Sequence, residues 1–108
     1  MKIDNFFDNL SANPDSEIFE ILAGNSKVKI ERIISLGQST PPGEWYDQEM
    51  NEWVILLEGF AGILFKGEQT IHILNPGDYL LIPAHVRHRV EFTDKFKPSV
   101  WLAVHYLD

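Results

Sequence analysis

The sequence contains no cysteine among its 108 residues. Disulfide bonds and metal sites built from thiolates are therefore excluded. The absence of cysteine is typical of proteins in a reducing compartment, and we expect the protein in the cytoplasm. Because 44% of the residues are apolar, one domain of this length can bury a core without covalent cross-links. We therefore expect a single domain over residues 1–108.

Basic residues are also scarce. Nine Lys and Arg residues stand against sixteen Asp and Glu residues, and the formal net charge is −7. The longest basic cluster is the Arg-His-Arg sequence at 87–89, which is too short to follow a phosphate backbone. We therefore expect no nucleic-acid partner.

Long apolar segments are missing as well. Asp4 and Asp8 interrupt the N-terminal stretch where a signal peptide would need its apolar centre. No run approaches the roughly 18 apolar residues that a membrane-spanning helix requires. The sequence therefore predicts no membrane partner.

The N-terminal segment carries the spacing of a short helix. Ile3, Phe6, Phe7 and Leu10 recur at helical intervals, and Asn-Pro-Asp at 13–15 would end the helix. We therefore expect an amphipathic helix over about residues 3–10 that covers one end of the fold.

The rest of the chain shows short strand signals separated by turn residues. Gly24-Asn25, for example, separates two strand-like segments and predicts a hairpin. About eight short strands with little helix indicate an all-β sandwich or closed barrel. The predicted strands are 17–22, 28–35, 52–57, 62–65, 69–74, 79–82, 87–92 and 99–106.

One predicted strand is apolar on both faces. Residues 53–57 read Trp-Val-Ile-Leu-Leu, whereas an antiparallel strand with one face in water should alternate. One face would line the interior, and the other would lie against a second sheet or a second subunit. We favour a homodimer.

The strand beginning at Arg87 places a histidine among apolar residues. Charged residues alternate there with His88, Val90 and Phe92, so we expect these three side chains to point inward. A buried imidazole requires hydrogen bonds or a metal ion. The alternative is a core histidine whose hydrogen bonds are satisfied by the protein.

Glu52 stands at the start of the apolar strand and shares a face with Val54 and Leu56. A buried carboxylate must be paired, bind a metal or take up a proton. We therefore expect Glu52 and His88 to converge in the interior. The alternative is a structural hydrogen bond between them, without any ligand.

Two groups of residues between 28 and 106 resemble the two sequence motifs of the cupin superfamily. The first group comprises Gly43, Tyr46-Asp47-Gln48, Glu52 and Gly59. The second group runs from Gly77 through Pro83 to His88, with His85 in place of a second glycine. The resemblance implies a double-stranded β-helix, or jelly-roll barrel, with a site in its interior.

The resemblance also implies a divalent transition metal, for which Zn, Ni, Mn and Fe are the candidates. In the family, two histidines and a glutamate of the first motif and the histidine of the second motif hold the metal. Glu52 and His88 match two of these ligands, but Tyr46 and Gln48 occupy the positions of the two histidines. The candidate ligands are His88, Glu52, Gln48 and His85, with His105 as another source of imidazole.

Two functions are compatible with these residues. The first is the binding of a small molecule or a metal ion without turnover. The second is a metal-dependent isomerase, decarboxylase, lyase or dioxygenase acting on a small organic acid or a sugar-like molecule. Nothing in the sequence identifies the substrate. The expected pocket-lining residues are Trp45, Tyr46, Val54, Val90 and His105.

Overall fold

The computed structural model describes all residues from 1 to 108. Eight antiparallel strands follow one another along the chain, without an α-helix. The all-β prediction is thus confirmed, and no helix in the structure could cross a bilayer. The strands are β1 Ile18–Gly24, β2 Val28–Ser35, β3 Asn51–Glu58, β4 Ala61–Phe65, β5 His72–Leu74, β6 Tyr79–Ile82, β7 His88–Thr93 and β8 Ser99–Tyr106.

The strands form two sheets. The larger sheet has the order β1-β2-β8-β3-β6, and the smaller sheet has the order β5-β4-β7. Apolar side chains from both sheets form one core between them, which is the expected arrangement for two amphipathic sheets. This core comprises Val54, Leu56, Ala61, Ile63, Leu74, Ile82, Trp101 and Ala103.

The predicted helix at residues 3–10 is wrong, because this segment is irregular and contains only a turn at residues 6–9. The guanidinium group of Arg32 donates hydrogen bonds to the carbonyl oxygens of Phe6 and Asp8, at 2.6 and 2.7 Å. Asn9 has a positive φ of 55°. An isolated helix of this length is marginal, and contacts with the buried Arg32 determine the backbone path instead.

Strand β3 has two apolar faces, as the sequence predicted. Its inner face is buried, whereas Trp53 and Ile55 on the outer face are half-buried. Trp53 lies 5.5 Å from the ring of Tyr79, measured between ring centroids. Tyr79 and Leu81, on the neighbouring strand β6, are 65% and 51% exposed. The outer face of the larger sheet therefore presents large apolar side chains to solvent.

A β-bulge lies between β4 and β7. Gly62 pairs with Phe92, but the next residue, Ile63, pairs with Val90. The extra residue reverses the alternation, so Phe92 packs over Gly62, where any side chain would collide with its ring. The prediction that Phe92 shares an inward face with His88 is therefore wrong.

Candidate functional site

A cavity of about 80 Å³ lies between the two sheets. Its mouth is marked by Phe19 and Tyr46, which line the cavity and are 55% and 39% exposed. Its interior combines apolar walls with several ionisable groups. The lining residues are Glu17, Phe19, Glu31, Ile33, Tyr46, Gln48, Glu52, Val54, Ile63, Ile82, His88, Val90, Trp101 and His105.

Strand β3 carries Glu52 into this cavity. The residue is 8% exposed and pairs in register with Ile82 on one side and His105 on the other. Burial raises the pKa of the Glu52 carboxyl group, the nearby imidazoles of His105 and His88 oppose that rise, and the Glu31 carboxylate adds to it. Glu52 therefore holds a proton more readily than an exposed glutamate.

His88 faces Glu52 from the opposite sheet. Its Nδ1 lies 2.9 Å from the carbonyl oxygen of Val86, and its Nε2 lies 3.8 Å from Oε1 of Glu52. Because a carbonyl oxygen only accepts, Nδ1 carries a proton and the ring orientation is determined. The ring of Tyr46 stacks on His88 at a centroid separation of 5.5 Å. The expected convergence of Glu52 and His88 is thus present in the structure.

His105 enters the same cavity from β8, although the sequence left its face undetermined. Its Nε2 lies 3.0 Å from Oε1 of Glu31 and 3.9 Å from Oε2 of Glu52. All three side chains are nearly inaccessible to solvent. The imidazole of His105 therefore bridges two carboxyl groups on neighbouring strands.

Gln48 and Tyr46 belong to the loop that closes the cavity. Backbone hydrogen bonds in both directions join Tyr46 to His88, at 2.8 and 3.2 Å, and the N–H of His85 donates to the carbonyl oxygen of Gln48 at 2.8 Å. The side-chain Oε1 of Gln48 is buried and has no hydrogen-bond partner. Leaving such a group unpaired is costly, and Gln48 is one of the residues that line the cavity.

Two of the predicted site residues lie outside the cavity. The imidazole of His85 is 67% exposed and binds the carboxylate of Asp47 at 2.8 Å. Trp45 packs between the cationic groups of Lys66 and Arg89, 5.8 and 5.9 Å from its ring. His85 adopts a positive φ of 64° in a turn, which directs it to the surface rather than toward Glu52.

The other predicted residues, Val54, Val90 and His105, line the cavity, but the sequence prediction missed Glu17 and Glu31. Lys29 and Glu31 alternate with apolar residues at the start of the segment 28–34, and this pattern predicts that Glu31 faces water. Instead, the smaller sheet and the cavity cover that face. His105 pairs with Lys29 in the register of β2 and β8, so Glu31, two residues further along β2, lies on the same face as His105. An inward position for His105 would therefore have implied an inward position for Glu31.

The side chains present do not fit the metal site that the resemblance implies. Tyr46 and Gln48 stand where two imidazoles are needed, and no three His, Cys, Asp or Glu side chains converge around a possible ion. Glu52 and His88 supply one oxygen and one nitrogen, and the Gln48 amide oxygen is a weak third ligand. The Nε2 of His105, the other candidate imidazole, is paired with Glu31. This set is too poor to hold Zn, Ni, Mn or Fe tightly.

Two antiparallel sheets around a cavity with apolar walls and several ionisable groups define a jelly-roll barrel with an interior site. The family model described as "Cupin domain" matches residues 32–105. This match covers more than half of the chain, and the protein belongs to the cupin family. None of the curated proteins matches this sequence.

Solved structures agree with this assignment. A protein of Ralstonia eutropha JMP134, named as a candidate mannose-6-phosphate isomerase, is 46% identical over 100% of both chains, with a TM-score of 0.94. A cupin superfamily protein of Desulfitobacterium hafniense DCB-2 is 23% identical over 91% of this chain and 84% of its own, with a TM-score of 0.74. The protein TT1209 of Thermus thermophilus is 19% identical over 98% of this chain and 97% of its own, with a TM-score of 0.78. The last two comparisons concern the fold alone.

Replacement of Glu52 by glutamine is expected to stabilise the protein at pH 7.5. The folded state binds the Glu52 proton more tightly than the unfolded state, so this group's contribution to stability falls as pH rises from the ordinary pKa of 4.5 through the raised pKa. Glutamine cannot ionise and avoids this loss. We expect the melting temperature to rise by about 4–8 °C, equivalent to about 1 kcal/mol.

Calorimetry between pH 4 and pH 8 would measure this gain, which should shrink toward acid pH. Glu31→Gln is the matched control, because it removes the charge from the hydrogen bond to His105 and is expected to lower the melting temperature. A Glu52→Gln variant that melts below the native protein at pH 7.5 would contradict the role assigned to burial.

Proposed function

We propose that the protein binds a small polar molecule in the cavity, in contact with Glu52, His88 and Gln48. The unpaired, buried Oε1 of Gln48 carries this proposal. A ligand that donates a hydrogen bond to this oxygen would remove the cost of leaving it unsatisfied. Val54, Ile63 and the other apolar lining residues would contact the remainder of the ligand.

The size of the cavity supports a ligand with few atoms. Its volume of about 80 Å³ exceeds the roughly 10–15 Å³ that one water molecule needs by the same measure. It is nevertheless small compared with the sites of drug-sized molecules. We therefore propose a metabolite fragment of a few heavy atoms, with any larger part passing between Phe19 and Tyr46.

Titration with a library of metabolite-sized fragments tests this proposal. Binding should shift the imidazole NMR resonances of His88, but not those of His72, which lies on the surface and pairs with Glu68. His88→Asn should abolish fragment binding as followed by calorimetric titration, since asparagine can retain the hydrogen bond to Val86 but lacks the Nε2 atom. His72→Asn is the matched control.

The proposal fails if no fragment shifts the His88 resonances, or if a folded His88→Asn protein binds the fragments as tightly as the native protein in calorimetric titration. Thermal melts of both variants establish that each one is folded. The native protein provides the reference for both measurements.

A second candidate function is an isomerase that moves a proton between neighbouring carbons of a small hydroxycarbonyl compound. The raised pKa of Glu52 favours this function, because a general base works best with a pKa near the working pH. The name of the Ralstonia eutropha relative points to the same reaction class. Glu52 would take the proton from the hydroxyl-bearing carbon and return it to the former carbonyl carbon, while the hydroxyl proton moves to the former carbonyl oxygen, so that the hydroxyl and carbonyl groups change places.

Proton exchange with solvent tests the second candidate. In D2O, an active protein should incorporate deuterium into mannose at the carbon next to the carbonyl group, and Glu52→Gln should lower the rate at least about 100-fold. The exposed Glu58→Gln variant is the control. Binding without any exchange would leave the first function in place and exclude this one for mannose.

We also propose that two copies associate through the outer face of the larger sheet. Trp53, Tyr79 and Leu81 lie together there and are accessible to solvent. Monomeric proteins seldom expose a contiguous patch of large apolar side chains. A second copy of the same face would cover these side chains in a symmetric dimer.

A further inference from the structure

Three carboxyl groups line the cavity, and no Lys or Arg side chain does. Glu17, near the mouth, accepts a hydrogen bond from the hydroxyl of Ser35 at 2.7 Å. Glu31 and Glu52 lie deeper, where both are nearly inaccessible. The nearest cation, Lys29, lies 3.8 Å from Glu31, and its side chain is 40% exposed. An anion entering this cavity would therefore meet carboxyl groups, and no Lys or Arg side chain in the wall would pair with it.

The three Arg side chains of the protein form hydrogen bonds with groups outside the cavity. Arg32 lies on the outer face of the larger sheet, where it binds the N-terminal segment. Arg87 binds the exposed carboxylate of Asp47. Arg89 donates a hydrogen bond to the carbonyl oxygen of Thr40 at 2.7 Å. None of these guanidinium groups is available to pair with a phosphate inside the barrel.

Most hydrogen-bond donors in the cavity wall are already used. The indole N–H of Trp101 donates to Ser35 at 3.3 Å. The imidazole Nε2 of His105 pairs with Glu31 at 3.0 Å. The side-chain donors that remain are the amide nitrogen of Gln48 and, when it holds a proton, the Glu52 carboxyl group, because the Tyr46 hydroxyl is hydrogen-bonded to Thr40.

Acceptors, in contrast, are plentiful. The Nδ1 proton of His88 is directed at the carbonyl oxygen of Val86, so Nε2 is the ring nitrogen that faces the cavity, and it accepts a hydrogen bond when it carries no proton. The Oε1 of Gln48 is an acceptor without a partner. The Glu52 carboxyl group offers an acceptor oxygen whether or not it carries a proton.

We infer that the cavity accepts molecules through hydroxyl or ammonium groups and rejects phosphate esters. This inference rests on the proposed function, because it names the class of ligand for the same cavity. Hydroxyl and ammonium groups bring the donors that the wall lacks. A phosphate dianion brings only acceptors and more negative charge.

Two pairs of probes that differ only in a phosphate group test this inference. The pairs are mannose with mannose 6-phosphate, and ethanolamine with phosphoethanolamine. Calorimetric titration at pH 7.5, together with the His88 resonances, should detect binding of at least one unphosphorylated probe. Its phosphate ester should bind at least about tenfold more weakly. The two pairs also distinguish a hydroxyl ligand from an ammonium ligand.

Charge reversal near the mouth provides the matched variants. Glu17→Lys should allow the phosphate ester to bind and so reduce the difference in affinity between the two members of a pair. Glu58→Lys, at an exposed position outside the cavity, should leave that difference in affinity unchanged. A phosphate ester that binds the native protein as tightly as its unphosphorylated partner would overturn the inference while leaving the proposed function intact. If neither these probes nor the fragment library shifts the NMR resonances of His88, the proposed function is overturned as well.

Discussion

The double substitution Tyr46→His and Gln48→His is expected to create a tight metal site in this barrel. Both side chains line the cavity that contains Glu52 and His88. Residues two apart in an extended segment point to the same side, so both imidazoles would enter the site together. The native protein should bind Zn²⁺ or Ni²⁺ weakly, because only Glu52 and His88 are free to act as ligands there, whereas the nearby imidazole of His105 is paired with Glu31.

The existing geometry already suits two ligands of one ion. Oε1 of Glu52 and Nε2 of His88 are 3.8 Å apart, close to the roughly 3.4 Å between ligands on a tetrahedral zinc ion. The contact of His88 with the carbonyl oxygen of Val86 orients the ring as in many metal-binding histidines. Two further imidazoles would complete a four-ligand set.

Competition with a chromophoric chelator would measure this change. We expect Zn²⁺ affinity to rise at least about 100-fold, since loss of a single orienting partner around a metal ligand already costs about 10–100-fold. Glu49→His adds an imidazole at an exposed neighbouring position and is expected to leave the affinity near the native value. Native protein that binds one equivalent of Zn²⁺ as tightly as the folded double variant would contradict this prediction.

The sequence predicted the strands well because local signals define them. Strands β2, β6 and β8 have the predicted bounds, and each is delimited by turn residues or by a change in alternation. The N-terminal segment and Phe92 were not predicted correctly. Arg32 lies more than twenty residues from the carbonyl groups that it binds, and the bulge opposite Ile63 requires two paired strands. Neither effect leaves a local pattern.

The site was predictable only in part, for a related reason. The alternation of side chains along the strands and the spacing of the motifs predicted that Glu52 and His88 lie close together. The pairing of Glu31 with His105 joins residues that are 74 positions apart, and it depends on which strands become neighbours. His85 lies near the others in sequence, but the turn that contains it directs the ring outward. Cross-strand neighbours and loop conformation are properties of the folded chain.

Replacement of Trp53 by glutamate is expected to convert the proposed dimer into a monomer. Trp53 packs against Tyr79 on the exposed apolar face, with 5.5 Å between the ring centroids. A large aromatic side chain in this position typically contributes about 2 kcal/mol or more to association, and a carboxylate in the same place would have to be desolvated without a partner. The dimer dissociation constant should rise at least about 100-fold.

Light scattering coupled to size-exclusion chromatography would measure the mass at micromolar concentration. The native protein should elute at twice its chain mass of 12.4 kDa, and the variant at 12.4 kDa. Phe96→Glu introduces the same charge at a side chain that is 93% exposed, in the loop before β8. This control should leave the dimer unchanged.

Leu81→Glu tests the same interface with a second substitution, in case Trp53→Glu fails to fold. Leu81 is 51% exposed in the isolated chain, so a monomer should tolerate a charge there, whereas a dimer that buries this face should not. Its thermal melt establishes that the fold is intact. A native protein that elutes as a monomer would refute the proposed dimer, and a dimer that survives both substitutions would show that another surface forms the interface.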